Sequence, residues 1–199
     1  MSSKTEHPTK ERIIEAAERL MLEKSFHSVG LNELLRTVEI PKGSFYHHFA
    51  SKEQFGVEML KHYSSESVKM KRSYLLDSEI NSIIERFRVF FETGISNFQA
   101  NGMVCPCLII KLASEVSSFS EPMRETLAEG LENWNRVIAE ALSLGIKKGE
   151  LAPSLKPRET ALLIGALWTG SVQQAIILKS IAPLVEARDH ILSQILLPA

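Results

Sequence analysis

Residues 30–49, GLNELLRTVEIPKGSFYHHF, read as two short helices joined by a tight turn. Leu31, Leu34, Leu35 and Val38 fall on one face of the first at helical spacing. In the second, Phe45 and Phe49 stand four apart and face inward. Pro41 suits the first turn of that helix, where a missing N–H costs nothing. Asn32, Arg36, Lys42, Ser44, Tyr46, His47 and His48 are left outward. They are donors and flat rings of the kind that meet phosphates and base edges. Two helices of this length with a short turn between them make a helix-turn-helix, whose second member lies in the DNA major groove.

The flanking chain continues in helical patterns. Residues 1–8 read as a solvated arm, and Thr9 suits the cap of a helix over 10–24 that buries Ile13, Ala16, Ala17, Leu20 and Met21. Ser51 to Gln54 has the spacing of a capping box and opens a long helix running to about Leu75. Asp77 and Ser78 break the pattern. Ile80, Ile83, Ile84, Phe87, Phe90, Phe91, Ile95 and Phe98 then make a broad apolar stripe, ended by Asn101-Gly102. Further helices are predicted from Pro106 to about Ser118, from Ser120 to about Lys148, over 158–179 and over 183–197. The fold class is all-α. A head of residues 1–50 carries the helix-turn-helix. A helical body of residues 51–199 follows, with the helix from Lys52 shared by both.

Composition narrows the setting. At 199 residues and 44% hydrophobic, the chain can build a sizeable core. No apolar run approaches the length of a membrane span, and the N-terminus lacks a signal-peptide core. With two cysteines, a reducing cytoplasm is the expected location. Net charge is −1, and within residues 1–56 the lysines and arginines are balanced by glutamates. Binding to DNA must therefore depend on where charge sits, and should weaken steeply with salt.

The run from Lys42 to Phe49, followed by Ser51-Lys52-Glu53, resembles the signature of the tetracycline-repressor (TetR) family. The resemblance covers about Lys10 to Leu60. It implies a three-helix DNA-binding head and a divergent helical body that dimerises and binds an inducer. One departure is Glu39, where the family usually has glycine at a turn. Carried onto this chain, the resemblance makes Lys42, Lys52, Tyr46 and His47 phosphate contacts. Pro41, Ser44 and Asn32 become neighbours of the groove or backbone. A metal site at His47-His48 is not expected, because adjacent helical residues diverge by about 100°.

Two readings of Cys107 stand on the residues alone. With Pro106 as first helical residue, Cys107 lies in a first turn whose N–H groups favour a thiolate, with Lys111 as a helper. Equally, a lone cysteine is a common, inert core residue. The segment from Cys107 to Val116 is similar to that of the family branch responsive to N-ethylmaleimide, quinones, reactive aldehydes and hypochlorous acid. That likeness implies a sensor role for Cys107, although acrylate-responsive repressors share a similar Cys-Leu segment. Cys105 is either a passive neighbour or a partner in a small, strained, reversible ring.

Phe87, Phe91, Phe98, Trp134 and Trp168 are either ordinary core or the lining of an inducer pocket. No catalytic constellation, metal site or cofactor motif is present. The expected protein is a homodimeric repressor, paired through its last two helices. It binds a palindromic double-stranded operator and is released by an electrophile or oxidant at Cys107. The alternatives are the same repressor gated by a non-covalent ligand, and a thiol-dependent enzyme.

Overall fold

The computed structural model describes residues 9–105 and 107–198, so the expectations for the 1–8 arm and for Pro106 lie outside them. Among the described residues there are nine α-helices and no strand. They are α1 (Thr9–Glu23), α2 (Leu31–Thr37), α3 (Lys42–His48), α4 (Lys52–Leu75) and α5 (Ile83–Ala100). Then come α6 (Leu108–Val116), α7 (Glu121–Lys147), α8 (Pro157–Leu178) and α9 (Ala182–His190), the last followed by a single π-helical turn over Ile191–Ile195.

The helices stop where local chemistry stops them. Ser51 Oγ accepts the Gln54 N–H at 3.0 Å, as the capping pattern predicts, while the returning Gln54 side chain accepts the Ala50 N–H at 2.7 Å, one residue ahead of the cap. The stripe expected from Ile80 becomes helical only at Ile83, because Ser82 is the cap. At the far end of α5, Gly102 takes φ +72°; its N–H donates to Gln99 O, and that of Met103 to Phe98 O. This is a Schellman closure. Pro41 is the N-cap of α3, one residue earlier than expected. Glu39 does adopt the left-handed region, at φ 54°, so the side chain that replaces the family's glycine is carried at a strained position.

By packing, the chain divides into two compact units. The first holds residues up to Ser64 together with Cys107–Gly130, so α6 and the start of α7 belong with the helix-turn-helix. Its core joins Ile13, Ala17, Phe45, Phe49, Phe55 and Met59 to Leu108, Leu112, Val116 and Met123. Three rings form its centre, with Phe45–Phe49, Phe45–Phe55 and Phe49–Phe55 centroids at 5.0, 5.4 and 5.1 Å. Gly56 lets the helix pass close to these side chains, since a Cβ there would stand 2.8 Å from the tips of both Phe26 and Met123, which would have to shift.

The second unit holds Ser65–Pro106 and Leu131–Ala199. In it, the buried Arg86 guanidinium donates to Ile80 O (2.6 Å), Leu75 O (3.2 Å), Leu76 O (2.8 Å) and Ser78 O (2.8 Å). One side chain thus satisfies the carbonyls left over where α4 ends and its loop turns. Glu150 does the complementary task at the start of α5, accepting from Ile83 N–H at 2.7 Å and Ser82 Oγ at 2.9 Å. One sequence expectation needs correction: α8, 22 residues with a mean hydropathy of 1.6 in its most apolar stretch, is long and apolar enough to cross a membrane. Ala161, Ile164, Trp168, Val172 and Ala175 are buried in the second unit, while Leu162, Leu163, Ile177 and Leu178 stay exposed.

Candidate nucleic-acid interface and cysteine segment

The outer surface of α2, the turn and the start of α3 forms an open depression of about 590 Å³. Asn32, Leu35, Arg36, Glu39, Ile40, Pro41 and Lys42 line it. Asn32, Pro41 and Lys42, all named from sequence, are therefore brought together and exposed. Arg36, seen as outward but not singled out, adds a second cation beside Lys42. Farther along α3, His47 is exposed, Ser44 is half-buried, and the Tyr46 ring is 53% exposed with its edge against Phe45. Phe45 and Phe49 are buried, and His47 lies opposite them on the helix; Lys42 is exposed at the helix start and Tyr46 at the border of the buried face. Arg12 braces the turn by donating to Val38 O at 3.0 Å.

Lys52 is placed differently from the other predicted contacts. Its ammonium donates to Phe26 O at 2.8 Å and Val29 O at 2.9 Å, and lies 4.8 Å from the Phe26 ring centre. Burial lowers its pKa, with Glu115 opposing that shift. In this state it holds the loop between α1 and α2, where the sequence reading placed it on phosphate.

Cys107 is the N-cap of α6, one residue ahead of the first turn in which the sequence reading had put it. It is half-buried and packs with Tyr63 against the core of the first unit. Burial, then the Cys107 sulfur that the phenol faces, raise the Tyr63 pKa well above its ordinary value, while the Leu108 N–H pulls the other way. The Lys111 ammonium, expected as a helper of the thiol, donates to Leu22 O at the end of α1. Cys105 is also half-buried, and both cysteines are thiols. Glu115, which sequence reasoning passed over, accepts the Phe26 N–H at 3.1 Å and the His27 N–H at 2.8 Å. No sequence signal marks it, because its partners are 88 and 89 residues away.

The five aromatic residues weighed as a pocket are all buried in the second unit. Phe91 lies against Phe87 at 6.2 Å and Trp168 at 4.7 Å, so these three fill one another's space. Phe98 is buried on the same helix. Trp134 sits under the Lys71 ammonium, 5.0 Å from its ring centre. Its indole N–H and the Asn135 carboxamide oxygen are buried without a hydrogen-bond partner.

Comparison with known proteins matches these features. Residues 13–59 match the model for bacterial regulatory proteins of the tetR family, and residues 84–191 match the tetracyclin repressor-like C-terminal domain. Over its whole length the chain is 36% identical to the HTH-type transcriptional repressor NemR of Escherichia coli K12, covering all of both. It is 28% identical to the transcriptional regulator AcuR of Cereibacter sphaeroides, covering 82% of this chain and 74% of that one. The crystal structure of E. coli NemR in its reduced form superposes with a TM-score of 0.87 at 34% identity, covering 96% of this chain and 98% of that one. With a helix-turn-helix head at one end and a matching C-terminal helical domain at the other, the chain belongs to the TetR family, as one of its DNA-binding transcriptional repressors.

Proposed function

We propose that this repressor works as a cytoplasmic homodimer, holds a palindromic operator with two heads, and lets go when an electrophile or oxidant reacts at Cys107. The single observation that carries this reading is the position of Cys107 at the cap of a helix whose apolar face is part of the DNA-binding unit's own core. In addition to a maleimide, the sulfur bonds to an alkene carbon, the π bond is lost, and the neighbouring carbon takes up a proton. The adduct then occupies space that Tyr63 and the α6 cap fill in the unmodified protein, and well-packed interiors do not absorb added volume without moving. Resemblance to a repressor whose crystal structure is of a reduced form supports a thiol-linked state.

Pairing is supported by α8, where Leu162, Leu163, Ile177 and Leu178 are exposed beside Ala166 and Gly170, small residues that permit close helix approach. A two-fold dimer matches a palindromic site. Asn32, Arg36, Pro41, Lys42, Ser44, Tyr46 and His47 are the contacts we assign to DNA, with Lys42 and Arg36 on phosphate.

A second reading is favoured by the unpartnered Trp134 N–H and Asn135 oxygen in the second unit. A non-covalent ligand that accepts from the one and donates to the other would gate the repressor, leaving both cysteines as core. Replacing Cys107 by Ser separates the two. DNA carrying the promoter of the chain's own gene is bound, and N-ethylmaleimide or a quinone is added. Release from the wild type and retention by Cys107→Ser is the expected pair of results. Equal release from both proteins refutes the thiol reading.

A further inference from the structure

The loop between α1 and α2, residues 24–30, is gripped from two sides by charged side chains far away in sequence. From α6, the Glu115 carboxylate receives the Phe26 N–H on one oxygen (3.1 Å) and the His27 N–H on the other (2.8 Å). Also from α6, the Lys111 ammonium donates to Leu22 O, just before the loop. From α4, Lys52 takes the carbonyls of Phe26 and Val29. A short loop that leaves a helix end has orphan donors and acceptors in both directions, and these three side chains satisfy five of them. The apolar side of the same helix (Leu108, Ile109, Leu112 and Val116) is buried in the core that holds α1, α2 and α3.

We infer that α6 is a working part of the DNA-binding unit: Glu115 and Lys111 are positioning residues that fix the α1–α2 loop, and through it the angle at which α2 and α3 meet DNA. The physical reason is directional. Apolar packing alone lets a helix slide or roll, whereas a carboxylate bound to two successive N–H groups fixes its distance and its rotation together. The N-terminal segment of the family signature, residues 13–59, is thus completed by residues about ninety positions later. Resting on the thiol reading, a corollary follows. An adduct at Cys107 displaces the first turn of α6, and the rigid nine-residue helix passes that displacement to Glu115 and the loop. Travel along the whole of α4 is then not needed.

The test uses the full-length protein in a Cys105→Ser background, so that one thiol reports, and a DNA fragment carrying the promoter of its own gene. Affinity is measured well below the melting temperature for wild type, Glu115→Gln and Glu115→Ala, alongside hydrogen exchange of the Phe26 and His27 amides. Glu115→Ala should bind about tenfold more weakly with both amides exchanging faster, because two charge-assisted bonds to the loop are gone. Glu115→Gln keeps one carbonyl oxygen and should fall between, which carries the test if the alanine variant does not fold. Faster exchange with wild-type DNA affinity overturns the positioning role, since a merely structural contact would behave so. Unchanged exchange overturns it as well.

N-ethylmaleimide then tests the corollary. Labelling should weaken the Cys107-bearing wild type but cost Glu115→Ala little more. A full wild-type loss in Glu115→Ala refutes the route through Glu115. Failure of the label to affect the wild type sinks the thiol reading, and the positioning role is still decided by the unlabelled affinities.

Discussion

Replacing Lys52 by Met separates two roles that a helix-turn-helix lysine can play. A lysine on phosphate releases counterions when it binds, so its loss lowers the slope of log affinity against log salt by about 0.9 per contact, or about 1.8 for a two-headed dimer. A lysine that holds protein carbonyls leaves that slope alone. Here the ammonium bonds Phe26 O and Val29 O at 2.8 and 2.9 Å and lies over the Phe26 ring, and Met keeps an unbranched stem without the charge. Two part-buried carbonyls lose their donor, and water replaces some of the loss. Removing a partly desolvated charge offsets some more. The net destabilisation should be about 1–2 kcal/mol. For a chain of this size that lowers the melting temperature by about 4 °C. Thermal melting gives the first number, and fluorescence anisotropy of labelled promoter DNA between 50 and 200 mM salt gives the second, both ranges following the sensitivity expected of phosphate contacts. The reasoning is refuted if the slope falls by about 0.9 per head while melting is unchanged. Lys52 would then leave the loop on binding DNA.

Arg86→Met tests the knot at the end of α4. The guanidinium is buried and serves four carbonyls, so its removal should cost about 3 kcal/mol or more, read by denaturant midpoint at constant m. An effect under about 1 kcal/mol would mean that water or a shifted loop takes those carbonyls as well as arginine does. Acid sensitivity should trace in part to Glu150, whose pKa is lowered: burial pushes it upward, and bonds from Ser82, Ile83 and Lys148 outweigh that. Since its folded pKa lies below the unfolded one, its contribution is present above about pH 4.3 and disappears as pH falls through the depressed folded value. Glu150→Gln should therefore lower stability near neutral pH and flatten its fall in acid. Parallel stability–pH curves for the two proteins would contradict that assignment.

Much of the fold was legible in the chain because its signals are local. The twenty residues at 30–49 carry their own period, turn and outward polar face, and the structure keeps Phe45 and Phe49 inside and Lys42, Tyr46 and His47 outside. Ser51 and Gln54 announced a helix start, and Asn101-Gly102 an end, through bonds between residues three to five positions apart. Even the strain at Glu39 was foreseeable, since a left-handed turn residue is required there whatever side chain occupies it. The start of α5 was misread although Ser82 and Glu85 carry a local cap signal, the Ser82 hydroxyl accepting the Glu85 N–H; only the added bond from Ile83 to Glu150, 67 residues away, is invisible in the chain.

The allegiance of α6 was not legible at all. An amphipathic nine-residue helix presents the same stripe whichever core receives it, so periodicity could not say that Leu108, Leu112 and Val116 belong with Ile13 and Phe45. The same limit hid Glu115 and the backbone partners that Lys52 and Lys111 take in the structure. A charged side chain declares its charge in the sequence, but its partner is chosen by what the folded backbone leaves unsatisfied within about 3 Å. Sequence alone thus determined which segments are helical and which polar residues of the helix-turn-helix face outward. Tertiary packing decided which distant side chains hold that face in place, because those bonds join groups that only the closed chain brings within reach.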